Sequence, residues 1–213
     1  MATIPNGILG GIQGRVGTVS GYNRYGIDVI RIAKNTGTVK PTPKRVAQRE
    51  KISVCNAFAK AFAGTGFFTK TFPAYGHTGS GYNRAVSSLM NLALVPSGSS
   101  VSISYPLVLV SKGPLPPAAN AAAVADNAGN IHFTWADNSS TGTAKKNDKA
   151  ILVAYFPATN EVIFSYNRGT RLSGTAILET TNMKGEAAET WMGFLSDDEK
   201  DASCSVYTGN VSL

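Results

Sequence analysis

The sequence predicts a mixed α and β N-terminal domain followed by an all-β sandwich, and three observations lead there. Composition is the first: 22 glycines, 43% hydrophobic residues and 15% charged residues suit a globular chain rich in strands and tight turns. The second is a change of hydrophobic period, with helical spacing confined to the first half and short apolar runs between turn signals in the second. The third is the punctuation Pro114-Leu115-Pro116-Pro117 between them, which reads as a domain boundary. These divide the chain into a basic α+β domain at 1–113, a linker at 114–117 and a sandwich at 118–213. With 213 residues, each part is long enough for its own core.

Val16–Tyr22 and Tyr25–Ala33 read as the two strands of a hairpin turning over Asn23-Arg24-Tyr25-Gly26. In the second strand Ile27, Val29 and Arg31 share one face, and Asp28, Ile30 and Ile32 share the other. Both faces are mostly apolar, so the strand is expected to be covered on both sides. Glycines at 10, 11, 14, 17 and 21 point to bulges or close backbone approach. Thr42 and Pro43 open a helix running to about Phe62, with Ile52, Cys55, Ala59 and Phe62 at helical spacing. Ser80 caps a second helix through Leu92 that Pro96 ends, and Val101–Val110 alternates like a strand.

Beyond Ala118 the runs Asn130–Ala136, Ala150–Phe156, Glu161–Tyr166, Gly174–Thr180, Thr190–Leu195 and Ser203–Val211 recur at the spacing of an antiparallel sandwich of about seven strands. Trp135 falls where such a sandwich keeps a core tryptophan, and Cys204 has no cysteine partner in this part. The expected type is a disulfide-free immunoglobulin/fibronectin type III-like β-sandwich, with both thiols free and buried.

Charge is distributed unevenly. Residues 1–115 carry 13 Lys and Arg against only Asp28 and Glu50, a net of +11, while the remainder carries −4. Arg15, Arg24, Arg31, Lys34, Lys40, Lys44, Arg45 and Arg49 form the candidate site, a cluster suited to a polyanion or to the acidic part of another subunit. Nucleic acid is a possible partner through this half, by its phosphates alone, since no helix-turn-helix, zinc finger or aromatic RNA-binding pair accompanies the cluster.

No catalytic pattern emerges. His77 and His132 are the only histidines, read as a loop residue and a strand-face residue, and there is no metalloprotease, nucleophile-elbow or phosphate-loop motif. Asp197, Asp198, Glu199 and Asp201 lack calcium-loop spacing and read as a solvated turn. The expectation is therefore a non-enzyme with no cofactor and no metal. No secretory signal is visible, because Ile8–Ile12 is short and no basic residue precedes Arg15. The charge-free run 85–111 is too interrupted to span a membrane, so cytoplasmic synthesis is expected. Tyr-Asn-Arg occurs at 22–24, 82–84 and 166–168, twice within Ser-Gly-Tyr-Asn-Arg, but in different predicted contexts, which argues against a structural repeat.

The string from Gly7 through Gly21, then Gly26–Arg31 and Pro43–Arg49, resembles a family found in Bacteroidetes, domain of unknown function 6266. The likeness continues through Leu107–Gly113, Phe133–Asn138, Asn147–Val153 and Ser203–Gly209. This chain departs from the family where the first hairpin usually turns through Trp-Lys-Gly. The family carries no established activity, so the resemblance implies an architecture and no reaction. The functional expectation is a structural protein of a repeating particle, such as a phage capsid or tail component of the virion, acting as a homo-oligomer or larger assembly. A sequence-independent nucleic-acid binder is the alternative.

Overall fold

The computed structural model describes residues 2–4, 7, 10–33, 40–76, 78–97 and 100–213. The chain divides into two compact units, 1–43 and 44–213. The first holds an antiparallel meander of β1 (Gly14–Val16), β2 (Val19–Arg24) and β3 (Ile27–Ile32). The hairpin turn is Tyr25-Gly26, both at positive φ (52° and 84°), as a two-residue turn matched to strand twist requires. Asn23 serves the turn twice, its Oδ1 accepting from the Gly26 amide and its Nδ2 donating to Asp28.

In the second unit α1 (Pro43–Lys60), α2 (Phe67–Thr71) and α3 (Gly81–Leu92) are followed by the hairpin β4 (Leu94–Ser97) and β5 (Ser100–Ile103). Ser80 caps α3 as expected, its Oγ accepting from the Asn83 amide. The strand expected over Val101–Val110 stops at Ile103, where Pro106 enters a short 3-10 turn, Tyr105–Leu107. Pro96 lies in β4 itself, on a two-stranded edge where its missing N–H is tolerated.

Seven strands complete the unit: β6 (Ala119–Ala125), β7 (Ile131–Ala136), β8 (Lys149–Phe156), β9 (Glu161–Ser165), β10 (Thr175–Leu178), β11 (Ala187–Leu195) and β12 (Val206–Ser212). They form a three-stranded sheet, β10-β7-β6, and a four-stranded sheet, β12-β11-β8-β9, all antiparallel. The fold is thus mixed α+β with sandwich-like sheets. Ile131, Phe133, Trp135, Leu152, Phe156, Met192 and Phe194 fill the space between the sheets. Trp135 meets Phe194 edge to face at 6.0 Å, and its indole N–H donates to the Arg171 carbonyl.

The helices are not a domain apart from the sandwich. Alternate residues of β8, Ile151, Val153 and Tyr155, join Trp191 and Leu195 of β11 in a second core with Phe58, Phe62, Phe67 and Leu89 of the helices. The four-stranded sheet is therefore buried on both faces, helices on one and sheet on the other. That is why β8 reads Ala-Ile-Leu-Val-Ala-Tyr-Phe with no polar alternation.

Nor does 114–117 run as a linker. The Leu115 amide donates to the Ala202 carbonyl, Arg171 donates to the Pro116 carbonyl, and Asn138 donates to the Pro117 carbonyl. The proline run is a strap bonded across the sandwich by one amide and two carbonyls. The acidic turn is also more than a solvated loop. Glu199, at φ +58°, accepts from Lys70 of α2 and Lys149 of β8, and those two ammonium groups hold its carboxyl below the usual range. This turn ties the helices to the sheet.

The repeated Ser-Gly-Tyr-Asn-Arg string lies in β2 and at the start of α3, so no structural repeat exists, yet its glycine has one job in both places. A Cβ on Gly21 would stand 2.1 Å from the Ile12 carbonyl oxygen, and one on Gly81 would stand 1.9 Å from that of Phe68. Gly81→Ala is expected to destabilise the protein by about 1–3 kcal/mol by overpacking α3 on α2, despite alanine's better helix propensity. Urea unfolding of that variant gives the value directly.

Candidate functional site

Three of the predicted basic residues come together on one face of the first unit's sheet. The register aligns Arg15, Ser20 and Arg31 in one row across the three strands, with Tyr22 opposite Val29 and Arg24 opposite Ile27 on the same face. The Arg31 guanidinium lies over the Tyr22 ring at 5.3 Å and that of Arg24 lies 5.8 Å from the Tyr25 ring. Asp28, the sole carboxylate of this unit, projects on the opposite face.

Lys44, Arg45 and Arg49 sit in the first two turns of α1, all exposed, and Lys40 is exposed in the coil before it. Lys34 lies outside the described residues. The first turn of α1 carries no acid, so Lys44 and Arg45 face the positive end of the helix dipole without compensation. Only Cys55, Phe58 and Ala59 of this helix are buried. Its N-terminal half is solvated even at Val46 and Ile52.

The other face of the first sheet is polar at its turn end, where Asn23 pairs with Asp28, and apolar beyond it. Val16, Val19 and Ile32 form one row, and Gly14, Gly21 and Ile30 form the next. Among the described residues of this unit, β3 is not covered on both sides as expected: Ile27, Ile30 and Ile32 are 68%, 62% and 83% exposed. Of the fifteen large apolar side chains exposed among the described residues, seven fall in residues 1–43, and the buried apolar core begins only at Cys55. The sequence reading placed the site on the charges of this segment and took the isoleucines of β3 for a covered strand, so their exposure was not foreseen.

The backbone of β3 adds a direction. A two-residue turn makes Arg24 and Ile27 a hydrogen-bonded pair, so Ile27, Val29 and Arg31 bond to β2 and the main-chain groups of Asp28, Ile30 and Ile32 point outward. The bond from the Ala33 amide to the Thr18 carbonyl continues that alternation. β3 is an exposed edge with neither proline nor lysine to blunt it.

The remaining titratable side chains of note lie in the second unit. His132 Nε2 stands 3.0 Å from Asp126 Oδ2. Asp126 accepts the amides of Ala128 and Asn130 in the β6–β7 turn, and those bonds, the Asn130 amide first, hold its carboxyl down to about 2. His77 lies outside the described residues. Cys55 is buried and Cys204 half-buried, both free. Cys204 was expected to be fully buried. Burial in the helix core raises the Cys55 thiol. Among the described residues no group of three His, Cys, Asp or Glu side chains is placed to hold a metal ion, and no helix is long and apolar enough to cross a membrane.

No curated protein and no solved structure matches the chain. The profile of one family does, across residues 11–209. With nearly its whole length matched, this chain belongs to the family of unknown function DUF6266.

Proposed function

We propose that this protein is a non-catalytic structural protein of a repeating assembly, such as a phage capsid or tail, and that its N-terminal unit is the part that assembles. One observation carries the reading. β3 has the apolar pattern of a strand covered on both sides, yet among the described residues of its own unit nothing covers its isoleucines. A unit of 43 residues, with no large apolar side chain buried among those described, falls near the lower limit for independent stability. The missing cover then comes from another molecule, and a second copy supplies it wherever the chain is abundant. If the copy covers β3 with a different surface, the contact is heterologous and closes into rings or extends into filaments.

The three-plus-four division of strands, with β9 joining the β12-β11-β8 sheet, and the buried Trp135 support a fibronectin type III-like sandwich as the body that is repeated. The test is hydrogen exchange at the outward amides of Asp28, Ile30 and Ile32 as a function of protein concentration. Protection that grows with concentration is expected. Free exchange at every concentration rejects the reading.

A second reading rests on the opposite face. Arg15, Arg24 and Arg31 beside Tyr22 offer phosphate-binding groups and a ring for stacking, as sequence-independent nucleic-acid binding uses. Binding to duplex or single strands that falls steeply with added salt supports this reading. No binding at low salt removes it.

A further inference from the structure

We propose that a cavity at the edge of the helical layer binds a small organic anion, an apolar body carrying one carboxylate. The cavity, about 620 Å3, has the size of small-molecule pockets, which combine apolar walls with a few convergent polar groups. Phe72, Pro73 and Leu92 supply apolar wall. Leu92 is left half-exposed at the end of α3.

Two cations line the space, Arg84 and Lys112. Arg84 donates Nε and Nη2 to the Phe72 carbonyl and Nη1 to the Gly79 carbonyl. Those bonds fix the guanidinium without neutralising it, and two of its five N–H groups remain. Neither cation forms an ion pair among the described residues, and no carboxylate is among the described lining residues. Asp201, beside the Tyr75 hydroxyl, is not part of the lining. Ser88, also on the wall, is only 8% exposed, and its Oγ has no hydrogen-bond partner. That oxygen is closed off from the open space, so the ligand's polar contacts fall to Arg84 and Lys112.

The wall is also built under constraint. Tyr75 holds φ +44°, sparsely populated for a residue with a side chain, and its hydroxyl accepts the Ala202 amide. Gly113 closes the same corner: a Cβ there would stand 2.2 Å from the Ala202 carbonyl oxygen and 2.7 Å from the Tyr75 hydroxyl. Uncompensated positive charge over an apolar floor selects against cations and against fully polar ligands. An amphipathic anion satisfies both parts.

Cys204 lies on the wall and Cys55 is buried, so thiol alkylation of the native full chain reads the cavity. Decanoate, kept below its micellar range, is expected to slow Cys204 alkylation by iodoacetamide about fivefold at saturation, while decanol and decyltrimethylammonium at equal concentration have less than about a twofold effect. Lys112→Glu, at an exposed position, should raise the half-protecting decanoate concentration about tenfold, with Lys112→Gln falling between, as loss of a charge-assisted contact requires. The proposal is overturned if decanoate gives no protection, if decanol protects equally, or if the folded Lys112→Glu variant is protected like the parent.

Discussion

Phe58→Ala is expected to lower the stability of this protein by about 3–5 kcal/mol and to melt helices and sheets in a single transition. Phe58 of α1 is buried against Tyr155 of β8, with ring centroids 4.8 Å apart and nearly perpendicular, and against Trp191 of β11 at 6.2 Å. Removing the ring opens a cavity between the helical layer and the four-stranded sheet, where neither side can collapse without moving the other. With Trp191 replaced by Phe in parent and variant alike, helix loss followed by circular dichroism and fluorescence of Trp135, which lies in the other core, should therefore shift together. A variant whose fluorescence transition stayed at the parent midpoint while its helices melted early would show the helices and sandwich to be separate domains.

Asp148→Ala should cost about as much, roughly 3–5 kcal/mol, because it leaves a buried guanidinium without its partner. Arg171 is 0% exposed, donates Nε to Asp148 at 3.0 Å, and spends its other nitrogens on Asn138 and the Pro116 carbonyl. Its guanidinium lies 3.8 Å from the centre of the Phe194 ring. The pair therefore fastens the proline strap to the core between the sheets. Arg171→Met with Asp148→Ala should recover part of the single-variant loss, since two neutral side chains leave no buried charge. Urea unfolding of the two single variants and the double variant closes the cycle. A loss under about 1 kcal/mol for Asp148→Ala would place the pair among those that contribute little.

Much of this was legible in the chain, for physical reasons. Alternation and turn residues located six of the seven sandwich strands. β6 escaped because Ala119–Ala125 has too little contrast between faces to register as a period. Ser80 and Pro43 marked helix starts because caps are local chemistry. α2, with five residues, is held by Phe67 and Phe68 in the shared core and has no period long enough to read.

The division of the chain was misread at Pro114–Pro117 because proline punctuation reports backbone freedom and not the partners its carbonyls find. Continuous apolar runs in β8 and β11 already indicated a sheet covered twice. Arg171 was invisible as a core residue, since sequence shows its charge and not Asp148 closing on it. In the candidate site the register of β1, β2 and β3 aligned Arg15 with Arg31, and that register depends on turn geometry more than on composition.

The central claim, that the N-terminal unit covers itself with another copy, is tested most directly by sedimentation of the full chain beside Ile30→Lys/Ile32→Lys. Both side chains are exposed among the described residues, so the substitutions should change the chain's own stability by no more than about 0.5 kcal/mol. The parent should sediment above the 22.3 kDa chain mass, increasingly so with concentration, and the variant should remain a monomer with an unchanged melting midpoint. A parent that stays monomeric at every concentration and at low salt would contradict the account.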